Sequence, residues 1–297
     1  MSSATACLSK AVLTVDAQPH VSDLFVRLAW QEGWALQRAP DNKAALALAK
    51  ASLIDLVITG EKIPMLDDLQ LLAELQSIHP HIRVIILKQH GNPEDVIASL
   101  RQHAFSYFRT PFDDDALAEM ARMAVTQSCW VDGIEVVSAQ PDWIRLLARC
   151  TRETAERLVQ FLRQADLPYA AREDMAVAGY EILLNAIEHG CQFDPEKYVE
   201  VAYLHARRMI MCRVKDPGDG FALEELRHAA VNNPAGDLFT HLPAREEQGL
   251  RPGGFGLLLA NKLVDEMIRS EQGNDVILIK YLDPRARGDS PSLPPPV

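Results

Sequence analysis

The chain has 297 residues, 48% of them apolar, which is enough for two domains with cores of their own and too apolar for a disordered polymer. Its formal net charge of −11 disfavours a nucleic-acid-binding surface spread over the whole protein, though not a local basic patch at a nucleotide pocket. No uncharged apolar run approaches the roughly 20 residues of a membrane span, and "MSSATACLSK" lacks the charged start and long apolar stretch of a secretory signal. The five cysteines are odd in number, scattered and without CxxC spacing. That argues against a disulfide framework or a zinc site and fits a reducing cytoplasm.

Residues 1–127 alternate short apolar runs with amphipathic segments. "AVLTVD" (11–16), "WALQRA" (34–39), "LIDLVIT" (53–59), "IRVIIL" (82–87) and "FSYF" (105–108) read as strands. Helical patterns cover 21–31, 42–51, 67–78, 93–103 and 113–127, with Asp41, Asn92 and Asp113 as N-caps and Pro93 in a first turn. Strand–helix alternation repeated five times implies a parallel sheet covered on both faces, a doubly wound, flavodoxin-like α/β domain.

From 128 the rhythm changes. "GIEVVSAQ" and "DWIRLLARC" read as a hairpin turning at Pro141-Asp142, and a helix over 152–164 carries the stripe Leu158, Phe161, Leu162. A helix over 171–189 follows, then strands at 198–206 and 209–216, a helix over 254–268 entered through glycines, a turn at 271–274 and a closing strand at 275–282. Strands, then helices, then strands is an α+β order. "RARGDSPSLPPPV" reads as a frayed end. The expected organisation is 1–127, 128–283 and a disordered tail over 284–297.

In the second half, "YEILLNAIEHG" (180–190) sets Glu181, Asn185 and His189 four residues apart on an otherwise apolar helix, hence on one stripe. A carboxylate buried without partners is costly, so the stripe must face water, a cation or a ligand. "KDPGDGF" (215–221) follows a strand, and "RPGGFGLLL" (251–259) places three glycines at the head of an apolar helix. Glycines there let backbone N–H groups approach an anion. Each piece alone is a weak signal; their order and context together are far more specific. No GxxxxGK[ST] motif occurs, which excludes a P-loop route to ATP.

The first half resembles a response-regulator receiver domain. "VLTVDAQP", "DLVITGEKIP" and "YFRTPFDDDAL" sit where receivers carry the acidic pair, the phosphate-accepting aspartate and the lysine before proline. Gly60 stands at the acceptor position, Ala17 at the second acid beside Asp16, Thr110 at the lysine and Lys88 at the hydroxyl after strand four. An aspartyl phosphate needs a carboxylate nucleophile and a steadying cation, so the resemblance implies a scaffold or docking domain that is not phosphorylated.

Residues 132–283 resemble the GHKL ATPase family, which includes gyrase, histidine kinases, MutL and the serine kinases that act as anti-sigma factors. The E-x-x-x-N-x-x-x-H stripe is similar to its N box, "DPGDGF" to its first glycine box and "GGFG" to its second. The resemblance implies a mixed sheet backed by helices, with ATP and Mg²⁺ as cofactors. By it, Asp216 accepts a hydrogen bond from the adenine amino group, and Gly218 and Gly220 let the chain pass close to base and sugar. Asn185 offers an oxygen to Mg²⁺, Gly254 and Gly256 cradle the phosphates, Glu181 is the general base, and His189 closes the stripe near the phosphates. Segment 222–252 is the lid, with Arg245 or Arg251 in reach of the γ-phosphate.

Three activities compete. A serine/threonine kinase of the anti-sigma-factor type would phosphorylate a small antagonist protein and bind a sigma factor. A histidine kinase would need a substrate histidine before the ATP domain, and residues 129–170 contain none. A non-catalytic module would bind ATP and change only its docking. The expected partners are ATP and a protein, with no nucleic acid and no membrane; a homodimer is compatible with the resemblance.

Overall fold

The computed structural model describes residues 10–126, 132–220 and 255–283. The chain divides between Asp132 and Gly133 into two compact units.

Among the described residues, the first unit has five parallel strands: β1 (Ala11–Val15), β2 (Ala35–Ala39), β3 (Leu56–Ile58), β4 (Arg83–Lys88) and β5 (Ser106–Arg109). They lie in the order β2-β1-β3-β4-β5. Between and after them come α1 (Pro19–Glu32), α2 (Asn42–Ala51), α3 (Met65–Ile78), α4 (Pro93–Arg101) and α5 (Asp114–Thr126). The caps explain the starts. Asp41 accepts from the Ala44 N–H, and Asn92 and Asp95 form a reciprocal capping box. β1 and β4 are buried along their whole length, as a strand covered on both faces must be. Val21, Phe25 and Leu28 of α1 and Leu117, Ala121 and Val125 of α5 close over Val12, Ile58, Ile85 and Phe108. Burying each large side chain of that set is worth about 1.5–3 kcal/mol. β3 is shorter than its apolar run, because the Asp55 carboxylate turns back onto the Ala11 N–H and Lys10.

Among the described residues, the second unit is a six-stranded antiparallel sheet with three α-helices. β6 (Ile134–Gln140) and β7 (Trp143–Arg149) form the hairpin. α6 (Arg152–Leu162), capped by Thr151, and α7 (Tyr169–Asn185) follow. β8 (Tyr198–Ala206), β9 (Met209–Lys215), α8 (Gly256–Leu263), β10 (Glu266–Arg269) and β11 (Asp275–Tyr281) complete the unit. The strand order is β10-β11-β9-β8-β7-β6. Val201 and Tyr203 of β8 pair with Val214 and Cys212 of β9 on the face that the helices cover, and all four are buried. Small residues bring α7 down onto that face: Ala171, Ala176, Ala178 and Gly179 are all buried.

Three expectations are corrected. The helix expected over 254–268 stops at Leu263, and Glu266–Arg269 is a strand on the free edge of β11. "VDEMIR" is amphipathic at either period. The unpaired N–H and C=O groups of β11 decide the matter, because they need partners. Asp265 N–H donates to the Ile279 carbonyl, and its carboxylate accepts from the Tyr281 N–H. The helix end is held from β11 as well: the Lys280 ammonium donates to the Leu263 carbonyl and to Asp174.

The helix expected over 171–189 is α-helical only to Asn185 and continues as one π turn, Ala186–Gly190. Cys191 N–H reaches five residues back to the Ala186 carbonyl. Finally, Cys150 and Cys191, 41 residues apart, are joined as a disulfide with Cα atoms 6.2 Å apart, both fully buried. The end of β7 and the end of the π turn meet there, which spacing along the chain does not reveal. The cysteine count therefore carries no argument for a reducing compartment. Among the described residues, no helix is long and apolar enough to cross a membrane.

Candidate functional site

The polar groups of the second unit gather where α7 and its π turn meet the start of α8 and the loop after β9. Glu181 and Asn185 are half-buried one turn apart on α7, whereas His189 falls in the π turn and is exposed. The wider turn changes the phase of the helix, so the three residues do not continue one straight stripe. Single π turns inside α-helices are frequent at functional sites.

Glu181 lies against the head of α8. A Cβ placed on Gly256 would sit 2.4 Å from its carboxylate oxygen, so a larger residue there would push the Glu181 carboxylate out of this position. Burial raises the Glu181 carboxyl above its ordinary value. One turn further on, the side-chain amide nitrogen of Asn185 is buried without a partner. A half-turn about the last side-chain bond exchanges it with the carbonyl oxygen, so the amide has either a donor or an acceptor to give.

The loop after β9 supplies the other wall. The Asp216 carboxylate is half-buried and accepts from the Gly218 N–H at 2.8 Å. Burial raises its pKa, and the hydrogen bonds from the Gly218 and Asp216 N–H groups oppose the rise. The loop is fixed from the β10–β11 turn: Asp216 N–H donates to the Asn274 carbonyl, and the Asn274 amide donates to the Gly218 carbonyl. Gly220 belongs to this anchorage. It has φ +74°, and a Cβ there would meet the Gln272 carbonyl oxygen at 1.8 Å.

Sequence reasoning missed Gly190. A Cβ on it would stand 2.2 Å from an Asp216 carboxylate oxygen, and one on Gly218 would stand 2.8 Å from the Gly190 carbonyl oxygen. Two glycines are thus what lets the end of the helix touch the aspartate loop. The only signal was the glycine closing "AIEHG", which reads equally as a helix stop. The structure brings together Glu181 with Gly256, and Gly190 with Asp216 and Gly218. Gly254 and the expected lid at 222–252 lie outside the described residues.

The corresponding region of the first unit is closed. A Cβ on Gly60 would meet the Asp16 carbonyl oxygen at 2.2 Å, so no side chain fits at the acceptor position. Glu61 is buried and lies 2.9 Å from His20 Nε2. Lys88 is also buried, and its ammonium donates to the Asp68 carboxylate and the Ile63 carbonyl. Burial pushes the Asp68 carboxyl up to about 7, against the pull of Lys88. From the sequence, Lys88 was only a missing hydroxyl; its inward turn appears once Asp68 is placed.

Residues 12–122 match the response regulator receiver domain, and residues 144–280 match the histidine kinase-like ATPase domain. The chain joins a receiver domain to a histidine kinase-like ATPase domain. The transcriptional regulatory protein GlrR of Escherichia coli (strain K12) is 32% identical over 142 residues, covering 46% of this chain and 32% of that protein. The serine-protein kinase RsbW of Listeria monocytogenes serotype 4a (strain HCC23) is 26% identical over 121 residues, 40% of this chain and 72% of that protein. Among solved structures, the receiver domain of NtrX from Brucella abortus is 30% identical with a TM-score of 0.35, covering 39% of this chain and 99% of that one. The chain spans 32% or less of the length of the first three curated relatives.

The ATPase-domain site fits a magnesium nucleotide on its own geometry. Gly190, Gly218 and Gly220 admit no side chain, the aspartate is fixed by backbone bonds, and the unpartnered Asn185 amide nitrogen stands within the same helix end.

Proposed function

We propose that this is a signalling protein that binds ATP with Mg²⁺ in its second unit and transfers the γ-phosphoryl group to a serine or threonine of a partner protein. The partner is of the anti-sigma-factor antagonist type, with a sigma factor as a second binding partner. The first unit serves as a docking domain without phosphorylation of its own. The single observation that carries the kinase reading is Glu181. It is half-buried, raised in pKa by that burial, pressed against the glycine at the head of α8, and one turn from Asn185. A base of that kind is suited to taking a proton from an incoming hydroxyl. The likeness to a serine-protein kinase supports the same choice.

In this reading Asp216 holds the adenine amino group, and Gly218 and Gly220 shape the loop that carries it. Asn185 turns its amide oxygen toward the cation, which prefers oxygen ligands. Bound Mg²⁺ supplies charge neutralisation on the phosphate oxygens. Gly254 and Gly256 present backbone N–H groups to the phosphates, and His189 lies at the mouth. Glu181 orients the acceptor hydroxyl and receives its proton.

The test pairs two measurements on Glu181→Gln, which keeps the shape and loses the base. Nucleotide affinity should stay within a few-fold of the parent, while transfer from γ-labelled ATP to candidate antagonist proteins should fall by about 10²–10⁴. Transfer by the variant at the parent rate removes Glu181 from the reaction. A parent that transfers nothing to any antagonist, yet binds ATP, favours the non-catalytic module.

A further inference from the structure

A cavity of about 790 Å³ opens between α2 and α3 of the receiver unit. It lies beyond the carboxyl ends of β1, β2 and β3, with Asp16 after the first, Pro40 and Asp41 after the second, and Lys62 to Pro64 after the third. The chain leaves β1 for β2 on one side and returns to β3 on the other. That reversal is where open α/β sheets bind their ligands.

The walls are two charged rails. Lys43 and Lys50 stand seven residues apart along α2, and Asp67 and Glu74 stand seven apart along α3. Seven residues are two turns, about 10 Å of helix. Between the rails lie Leu46, Ala47, Ile63 and Leu71. Among the described residues, no ion pair engages Lys43, Lys50, Lys62, Asp67 or Glu74. The Asn42 amide nitrogen donates to the Asp67 carbonyl and ties the two helices together, which leaves its Oδ1 buried without a partner. Leu66, one turn before Gln70, is 76% exposed.

We propose that this trough is the docking site for one amphipathic α-helix of a partner protein. The apolar stripe of that helix, at i, i+3 or i+4 and i+7, lies on Leu46, Ala47, Ile63 and Leu71. Acidic residues on one flank face Lys43 and Lys50, and basic residues on the other face Asp67 and Glu74. Opposite charges on the two helices, each repeated at the period of two helical turns, are satisfied together by a helix with flanks of both signs, while Asp41 and Lys62 add one charge of the other sign to each wall at the strand end. A flat heterocycle would find no aromatic side chain there to stack on. The inference deepens the docking role of the first unit and does not depend on ATP binding by the second.

The probes are fluorescein-labelled, helix-stapled peptides of about 16 residues, roughly 24 Å long. They share a leucine stripe and differ in their flanks: Glu on one side and Lys on the other, Glu on both, or Lys on both. Anisotropy titration of the full chain should give at least about tenfold tighter binding of the mixed peptide than of either single-sign peptide, a difference of about 1.4 kcal/mol. With Lys43→Glu and Lys50→Glu together, both rails are acidic, and the preference should move to the all-Lys peptide. Ala47→Trp should abolish binding of all three. Circular dichroism melts confirm that the variants fold, and ATP titration of the same samples separates failure here from failure of the nucleotide reading. Any of four results overturns the proposal: no peptide binds the parent; the preference survives charge reversal; inorganic phosphate displaces the mixed peptide at equal concentration; or sedimentation shows parent self-association that the reversal abolishes, which would make a second copy the occupant.

Discussion

The receiver and ATPase units pack the charged groups of their expected sites in different ways. In the first, the region after β3 and β4 is sealed from within: Gly60 backs onto the Asp16 carbonyl, Glu61 lies beside His20, and Lys88 is neutralised by Asp68. In the second, Glu181, Asn185 and Asp216 stay half-buried, and an amide atom of Asn185 is left without a partner. One oxygen each of Glu61 and Asp68 is also buried without a hydrogen-bond partner, but a histidine or an ammonium faces each carboxylate and packing closes the region, whereas beside the close-packed glycines of the second unit the Asn185 amide is left for a ligand to complete. One chain thus holds a site closed by its own side chains and a site held open.

The largest effect that would break this contrast concerns proton transfer. Because burial raises the Glu181 pKa, the base is lost as pH falls through that raised value rather than through the ordinary glutamate range. Below it, transfer should fall by about tenfold per pH unit, and the Glu181→Gln variant should lack this limb. A pH profile of labelled-phosphate transfer checks it; the same limb in both variants would assign it elsewhere.

Next in size is the closed site. Lys88→Met leaves Asp68 buried alone and should cost about 3–5 kcal/mol in a denaturant melt of the first unit. Lys88→Met with Asp68→Leu should recover most of that loss. Equal destabilisation of the single and double variants would show that the pair is not what seals the region.

Gly60→Asp, which restores the receiver's nominal acceptor, should nevertheless gain no label from acetyl phosphate. Its Cβ would meet the Asp16 carbonyl oxygen, and relieving that contact should cost about 1–3 kcal/mol. Mass spectrometry showing a stoichiometric acyl phosphate on the variant would contradict the closed reading. In the open site, Gly190→Ala drives a methyl against Asp216. Relieving that should weaken ATP by about tenfold, read by titration, without shifting the melt of the first unit.

Much of this was legible in the sequence. Four strands of the first unit announced themselves by apolar runs, β2 with its Gln37 and Arg38 only weakly, and Asp41 and Asn92 cap the helices they precede. The three glycine- and asparagine-bearing segments pointed to the region where α7, α8 and the β9 loop converge. What was missed depends on partners distant in the chain. β10 is a strand because β11 has a free edge, Cys150 finds Cys191 across 41 residues, and Gly190 matters only because Asp216 faces it. The π turn was hidden because the spacing of Glu181, Asn185 and His189 fits an α-helix equally well. Lys88 looked like a loss because its neutralising carboxylate, Asp68, sits twenty residues earlier on a helix whose burial had not been seen.

The central claim is that the second unit holds ATP through an aspartate at the base and an asparagine at the metal. Calorimetric titration of the full chain with ATP, with and without Mg²⁺, tests it most directly, run in parallel on Asn185→Ala and Asp216→Asn. The account predicts Mg²⁺-enhanced binding by the parent, loss of only the Mg²⁺-dependent part in Asn185→Ala, and weaker binding with or without metal in Asp216→Asn. No binding by the parent at millimolar nucleotide, or equal loss of the metal dependence in both variants, would contradict it.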